Sequence, residues 1–249
     1  MIPEVVVTRP GAVAAIGLQR PQRRNALTAE MYEVMADALA RAGDDASVRV
    51  ILFHGTADAF TAGNDIEDFV KRPPTAEDAP VFRFLRGVMA ARKPLVAAVN
   101  GNAVGIGTTL LLHCDLVYAG EDAKFAMPFV KLGVVPEFAS SYLLPLIAGY
   151  RRAAEMLLLG EPFDANTARA AGIVTRVVPR EGVLEAAHEA AAKLAGLPEA
   201  SVRLTRQLLK SAHRAAIEQQ MANESRHFRE LLAQPAAQQA LSAFLAKRV

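Results

Sequence analysis

The hydrophobic positions change period along the chain. In the first half, short apolar runs rich in β-branched residues, bounded by Gly, Pro or Asn, alternate with longer stretches of helical spacing. "VVVT", "AVAAIGL", "VRVILFHG", "PLVAAVNG" and "DLVYAG" have the length and punctuation of strands. Between them, "TAEMYEVMADALARA" places Met31, Val34, Met35, Ala38 and Leu39 on one helical face, with Thr28 as the expected N-cap. "APVFRFLRGVMAAR" predicts a second helix, stopped by Pro94. Strands alternating with helices predict an α/β core.

Beyond Gly133 the pattern becomes helical. "SSYLLPLIAGYRRAAEMLLLG", "ANTARAAG", "VLEAAHEAAAKLAG", "PEASVRLTRQLLKSAHRAAIEQQMANESRHFRELLA" and "AAQQALSAFLAKR" are Ala-, Leu- and Arg-rich, and one strand-like piece, "IVTRVVP", interrupts them. The expected layout is an α/β core over residues 1–195 and a helical region over 196–249. Lys71 to Pro80, rich in Pro and charge, reads as a loop.

Composition narrows the classes. The 249 residues are 52% hydrophobic and 22% charged, ample for a sizeable core. A net charge of +2 without a Lys/Arg run argues against nucleic acid as a partner. The single Cys114 excludes a disulfide within the chain and fits a reducing compartment. No basic start precedes a long apolar run, no apolar stretch is long enough for a membrane span, and "AKRV" is no targeting tripeptide. The expectation is a cytoplasmic protein with neither membrane nor nucleic-acid partners.

Two turns carry candidate chemistry. "FTAGNDIEDF" follows the strand "VRVILFHG", and "NGNAVGIGTTLLLHCDL" follows "PLVAAV". Each is a strand, a small-residue turn and a helix start, where unpaired N–H groups point outward and a ligand can approach the backbone. One N–H from each turn would suit a developing oxyanion. Taken singly, each turn reads as an ordinary tight turn, with Asn64 or Asp65 as a helix cap. Asp65 to Asp68 also have the placement of first-turn acids. The five histidines are scattered, His113 in an apolar context that suits a core residue, and no cluster has metal-ligand spacing. Ser140 and Ser141 have no His placed by any motif to activate them.

The chain resembles the crotonase (enoyl-CoA hydratase/isomerase) superfamily along nearly its full length. The stretches that carry the resemblance are "RPQRRNALTAEM", "FTAGNDI", "KPLVAAVNGNAVGIG", "HCDLVYAGEDAKFAMP", "LGVVPE", "LLLGEPFDANTARAAGIVTRVVP" and "AFLAKR", in the family's order. The resemblance implies a spiral of ββα units followed by helices that assemble homotrimers, often paired as hexamers. It also implies an acyl-CoA thioester as substrate, with coenzyme A carried by the substrate and no separate cofactor or metal. By resemblance, the backbone N–H groups of Asn64 and Ile106 form the oxyanion hole. Ile106 replaces a glycine common in the family, which a main-chain donor tolerates if φ stays negative. Arg23, Arg24, Ala26 and Leu27 fall in the CoA-lining stretch, where the arginines suit phosphate or, equally, a solvated face. Ala62, Asp65, Ile66, Thr109 and Phe129 fall around the substrate. Phe244 and Lys247 match residues that reach the CoA from a neighbouring subunit, with plain helix packing as the alternative.

The reaction turns on carboxylates. Hydratases of the family use two glutamates, and the two places hold Thr109 and Phe129 here. Glu137, in "LGVVPEFASSY", matches the acid of Δ3,Δ2-enoyl-CoA isomerases, and an apolar setting would raise its pKa toward a useful range. Outside this context, Glu137 reads as a loop acid or a helix N-terminal acid. A 3-enoyl to 2-enoyl isomerase using Glu137 is therefore the expectation. A hydratase or another crotonase-type lyase or hydrolase, and a non-catalytic acyl-CoA-binding protein, are the alternatives.

Overall fold

The structure, a computed structural model, describes residues 4–74, 76 and 78–246. Two sheets organise the first two-thirds of the chain. The larger is built from β1 (Val5–Thr8), β2 (Val13–Leu18), β3 (Val50–His54), β5 (Leu95–Val99), β7 (Leu116–Gly120) and β10 (Arg176–Val178), in that spatial order. Only β1 and β2 pair antiparallel; the remaining neighbours are parallel. The smaller sheet runs β4 (Ala59–Thr61), β6 (Asn102–Val104), β8 (Lys124–Ala126) and β9 (Phe163–Asp164), with β8 and β9 antiparallel.

β3, β5 and β7 lie side by side in the large sheet, and the strands that follow them, β4, β6 and β8, lie side by side in the small one. The chain therefore steps between the sheets once per turn, as a spiral of ββα units. The inner strands β2, β3, β5 and β7 are buried on both faces, which is why they read as unbroken apolar runs. Ile16, Ile51, Phe53, Leu95, Ala97 and Val99 enter the main core. Val13, Ala15, Val50, Leu52, Val96 and Ala98 pack instead against α8 (Val183–Gly196) through Val183, Ala187 and Ala191. Truncating a fully buried leucine such as Leu95 to alanine costs roughly 2–5 kcal/mol.

The expected elements over the long strands and over α1 (Ala29–Asp44) and α3 (Pro80–Ala90) are present, and Thr28 caps α1 by accepting from the Met31 N–H at 3.3 Å. Short α2 (Ile66–Lys71) and α4 (Ile106–Thr109) follow the two glycine turns. The small sheet was absent from the expectation: strands of two or three residues inside turns carry no alternating pattern. The stretch from Ser140 divides into α5 (Ser140–Ala148) and α6 (Tyr150–Ala154), separated by Gly149 at φ 79° and followed by a π-helical turn at 155–159. Past α7 (Ala165–Ala170) and α8, the stretch expected from 198 to 233 is two helices, α9 (Glu199–Ser211) and α10 (Arg214–Leu232), before α11 (Pro235–Ala246).

The helical tail is not a separate layer. Leu232, Ala237 and Leu241 of α10 and α11 belong to the same core cluster as the sheet. α11 packs on the turn at 130–132 and on α2, which brings the C-terminal region to the glycine turns.

Candidate active site

The first glycine turn is held by a strap from residues 24–28. Leu27 N–H donates to Gly63 O and Asp65 N–H to Leu27 O, both at 2.8 Å, and Ala62 N–H donates to Arg24 O at 2.9 Å. Asn25, fully buried, donates through its side chain to Ala59 O at 2.7 Å and accepts from Thr61 Oγ1 at its carbonyl at 2.6 Å. Asp65 caps α2 by accepting from the Glu67 and Asp68 N–H groups and pairs with Arg20 at 2.6 Å. Burial works to raise the Asp65 pKa; Arg20 and the two N–H groups outweigh it and hold the carboxyl below its ordinary range.

The second turn meets the first closely. A Cβ at Gly107 would lie 2.5 Å from the Thr61 methyl carbon, and one at Gly63 would lie 2.8 Å from Val104 O. Gly63 and Gly105 also have φ of 85° and 56°, in the region where only glycine is unstrained. Ile106 keeps a negative φ, so its side chain does not distort the turn. Among the described residues, no protein acceptor takes the backbone N–H of Asn64 or of Ile106. Both residues line one cavity of about 450 Å³. Tyr32, buried on α1, donates its hydroxyl to Asn64 Oδ1 at 2.5 Å and steadies that residue.

Glu137 reaches the same cavity from a third segment and is the only carboxylate lining it among the described residues. The residues after it, Phe138 and Ala139, have φ of 59° and 55°. Left-handed backbone costs non-glycine residues roughly 1–2 kcal/mol each. The turn is held from outside. His113 stacks on the Phe138 ring, with centroids 3.8 Å apart, and its Nε2 lies 2.7 Å from Phe138 O. A carbonyl only accepts, so Nε2 carries the proton. Burial pushes the His113 pKa down to about 3, which keeps the ring neutral. From α10, buried Glu224 accepts from Ala139 N–H at 2.5 Å, from Ser141 N–H at 3.0 Å and from the Ser141 hydroxyl.

The Glu137 carboxylate accepts from Thr109 Oγ1 at 2.5 Å. Its apolar surroundings push its pKa up to about 8; the Thr109 hydrogen bond opposes this, and the charge of Glu224 adds to it. Burial likewise pushes Glu224 up to about 7, against the pull of Ser141 and Ala139. Phe129, at the other place where a hydratase would carry an acid, lines the cavity as a buried apolar wall.

The expected site residues among those described fall into three groups. Ala62, Asn64, Ile66, Ile106, Phe129, Glu137 and Phe244 all line the cavity, and Thr109 joins them through Glu137. Phe244 does so within its own chain, where the resemblance implied a neighbouring subunit. Arg23 pairs with Glu67 at 3.1 Å near the surface, and Arg24 is exposed. Ala26, Leu27 and Asp65 are buried in the strap and cap that shape the first turn, and Leu27 and Asp65 line a second cavity that shares Asn64 and Phe69 with the first. Lys247 lies outside the described residues. Asn25, Tyr32 and Glu224 were not expected at the site, and His113 was expected only in the core. Each of the four acts on a residue distant in sequence, so no local motif marks it.

Two free N–H groups and one buried carboxyl around an apolar cavity define a site that can hold a carbonyl oxygen and move a proton beside it. This chain belongs to the enoyl-CoA hydratase/isomerase family, whose profile matches residues 8–249. It is an acyl-CoA enzyme of that family. It is 34% identical over 98% of its length to 2,3-dehydroadipyl-CoA hydratase of Escherichia coli (strain K12), covering 96% of that protein. It is 38% identical over 83% of its length to enoyl-CoA delta isomerase 2 of Rattus norvegicus, spanning 54% of that longer protein. Among solved structures it is similar to Pseudomonas aeruginosa OdaA, with a TM-score of 0.95, 43% identity, and 97% and 98% of the two chains covered. No helix among the described residues is long and apolar enough to cross a membrane.

Proposed function

We propose that this enzyme converts 3-enoyl-CoA to 2-enoyl-CoA by a one-base proton shuttle. The observation that carries the reading is Glu137, alone among carboxylates of the described residues on the cavity wall and placed with the unpaired N–H groups of Asn64 and Ile106. The thioester oxygen accepts from those two groups, which acidifies the proton at C2. Ionised Glu137 removes that proton, the electron pair spreads as a dienolate onto the held oxygen, and Glu137 returns the proton at C4. No water and no separate cofactor enter the balance. The apolar wall, with Phe69, Phe129, Leu132, Val134 and Phe228, suits an acyl chain without a distal charge. Lys131, the one cation lining the cavity among the described residues, is paired with Glu161 at 2.6 Å.

Glu137→Gln is expected to lower kcat on trans-3-hexenoyl-CoA by about 10²–10⁴-fold or more while acyl-CoA binding persists. A wild-type rate in that variant would sink the assignment. In the wild type, kcat/KM should rise with pH and level off above about 8, because the base works ionised. The second reading, hydration, is favoured by the name of the E. coli relative. It is tested by loss of the conjugated-double-bond absorbance of crotonyl-CoA, and rapid loss would replace isomerisation by hydration. Exposed Leu204, Leu208 and Leu209 on α9 support assembly as a homotrimer or hexamer, to be checked by light scattering.

A further inference from the structure

The proposed base sits on a turn that its own sequence disfavours. Phe138 and Ala139, both left-handed, follow Glu137 directly, and neither is glycine. Two partners oppose the tendency of such a turn to relax. His113 fixes the Phe138 carbonyl. Glu224, 85 residues beyond Ala139, takes the Ala139 N–H on one carboxylate oxygen and the Ser141 N–H and hydroxyl on the other. Gln220, one helical turn before it on α10, donates to Ser141 Oγ at 2.8 Å and orients that hydroxyl. Glu224 is 4% exposed and faces away from solvent, so a surface role does not account for it.

A buried carboxylate is costly to retain unless its hydrogen bonds do something an apolar residue could not. Here they hold the N–H groups on the far side of the strained turn. We propose that Glu224 is a positioning residue for Glu137: by clamping the Ala139–Ser141 N–H groups it keeps the turn left-handed and the Glu137 carboxylate on Thr109 and in the cavity. The proposal rests on Glu137 being the base. It gives the C-terminal helical region a part in the chemistry of its own chain, through a residue that does not line the cavity.

The side chain chosen fits the task. A carboxylate presents two acceptor atoms to three donors. A glutamine would turn an N–H₂ toward one of them and lose one side of the clamp. Relaxing the turn would swing Glu137 away from Thr109 toward water, and a misplacement of about 1 Å at a reacting group can cost on the order of 10²-fold in rate.

The test compares full-length wild type, Glu224→Ala, Glu224→Gln, and Glu224→Ala combined with Ala139→Gly. Turnover of trans-3-hexenoyl-CoA is measured beside an infrared titration of the Glu137 carboxyl. Glu224→Ala should lower kcat about 10²-fold with KM within about threefold, since positioning of the base is lost and binding is not. The Glu137 titration should move from about 8 toward the ordinary 4.5, and further than in Glu224→Gln, which removes the neighbouring charge but keeps part of the clamp. Ala139→Gly, which makes the left-handed turn intrinsically accessible, should restore most of kcat and move the titration back. Glu224→Gln should fall between wild type and Glu224→Ala. Unchanged kcat and titration in Glu224→Ala would overturn the proposal, as would a loss that Ala139→Gly does not restore. If Glu224→Ala does not fold, Glu224→Gln with and without Ala139→Gly decides by the same criteria. Failure of the wild type to isomerise would count against the proposed function, while the titration still tests the clamp.

Discussion

Two parts of the site deliver groups to one cavity by opposite means. The turns at 61–64 and 104–107 rely on glycine: positive φ at Gly63 and Gly105, and at Gly107 an approach to Thr61 too close for a Cβ. The turn at 137–139 has no glycine and is held left-handed by His113 and Glu224 from other elements. The first device is encoded where it acts. The second stores local strain and depends on distant side chains, as strained functional backbone generally does. The lesson is that the proposed oxyanion donors are a local property of the chain, whereas the aim of the proposed base is a property of the folded whole.

The comparison can be broken most sharply at the glycines. Gly107→Ala drives a methyl into Thr61 and should part the two turns. The expected loss in kcat is on the order of 10²-fold, the range for an oxyanion-hole donor. Thr61→Ser removes the clashing methyl and keeps the hydroxyl bonds to Asn25 O and from Gly63 N–H, so it should recover much of the rate in the double variant. No recovery would mean that the close approach is not what Gly107 serves.

On the other side, His113→Phe keeps a ring against Phe138 but strands the Phe138 carbonyl. Urea unfolding should show a loss of roughly 1–3 kcal/mol, the cost of a buried acceptor left without its donor. An unchanged midpoint would mean that Phe138 O finds another donor and that Glu224 alone holds the turn.

The pKa of Glu137 also makes stability depend on pH. The folded-state pKa of Glu137 is raised to about 8 from the ordinary 4.5. Its contribution is therefore present in full below about pH 4.5 and lost as pH rises to about 8, because the unfolded chain releases the proton first. Glu137→Gln does not titrate, so its Tm should exceed that of the wild type by an amount that grows across this window and then levels. A constant Tm difference from pH 5 to 9 would contradict the raised pKa.

Much of this was legible along the chain. The long strands announced themselves by β-branched runs, α1 by its spacing and by Thr28, and the oxyanion turns by Gly63, Gly105 and Gly107. Glu137 stood out through Thr109 and Phe129, the two places where acids were missing. The small sheet escaped because Ala59–Thr61, Asn102–Val104 and Lys124–Ala126 are too short to show a period. Asn25 escaped because its bonds run to Ala59 and Thr61, more than thirty residues on. Glu224 sits in "MANESRHF", where a lone acid among polar neighbours has the look of a solvated helix face.

By itself, then, the sequence determined the strand–helix alternation of the large sheet and the backbone turns, because glycine, strand and capping preferences act within a few residues; the family and its ββα spiral followed from the resemblance of whole stretches. Only the tertiary structure decided how Glu137 is aimed and how its pKa is raised. Both depend on which side chains surround it: Thr109 beside it, His113 and Glu224 behind it, and the apolar wall contributed by α10 and α11. Burial and long-range hydrogen bonding are sums over the folded chain, and no window of sequence contains them.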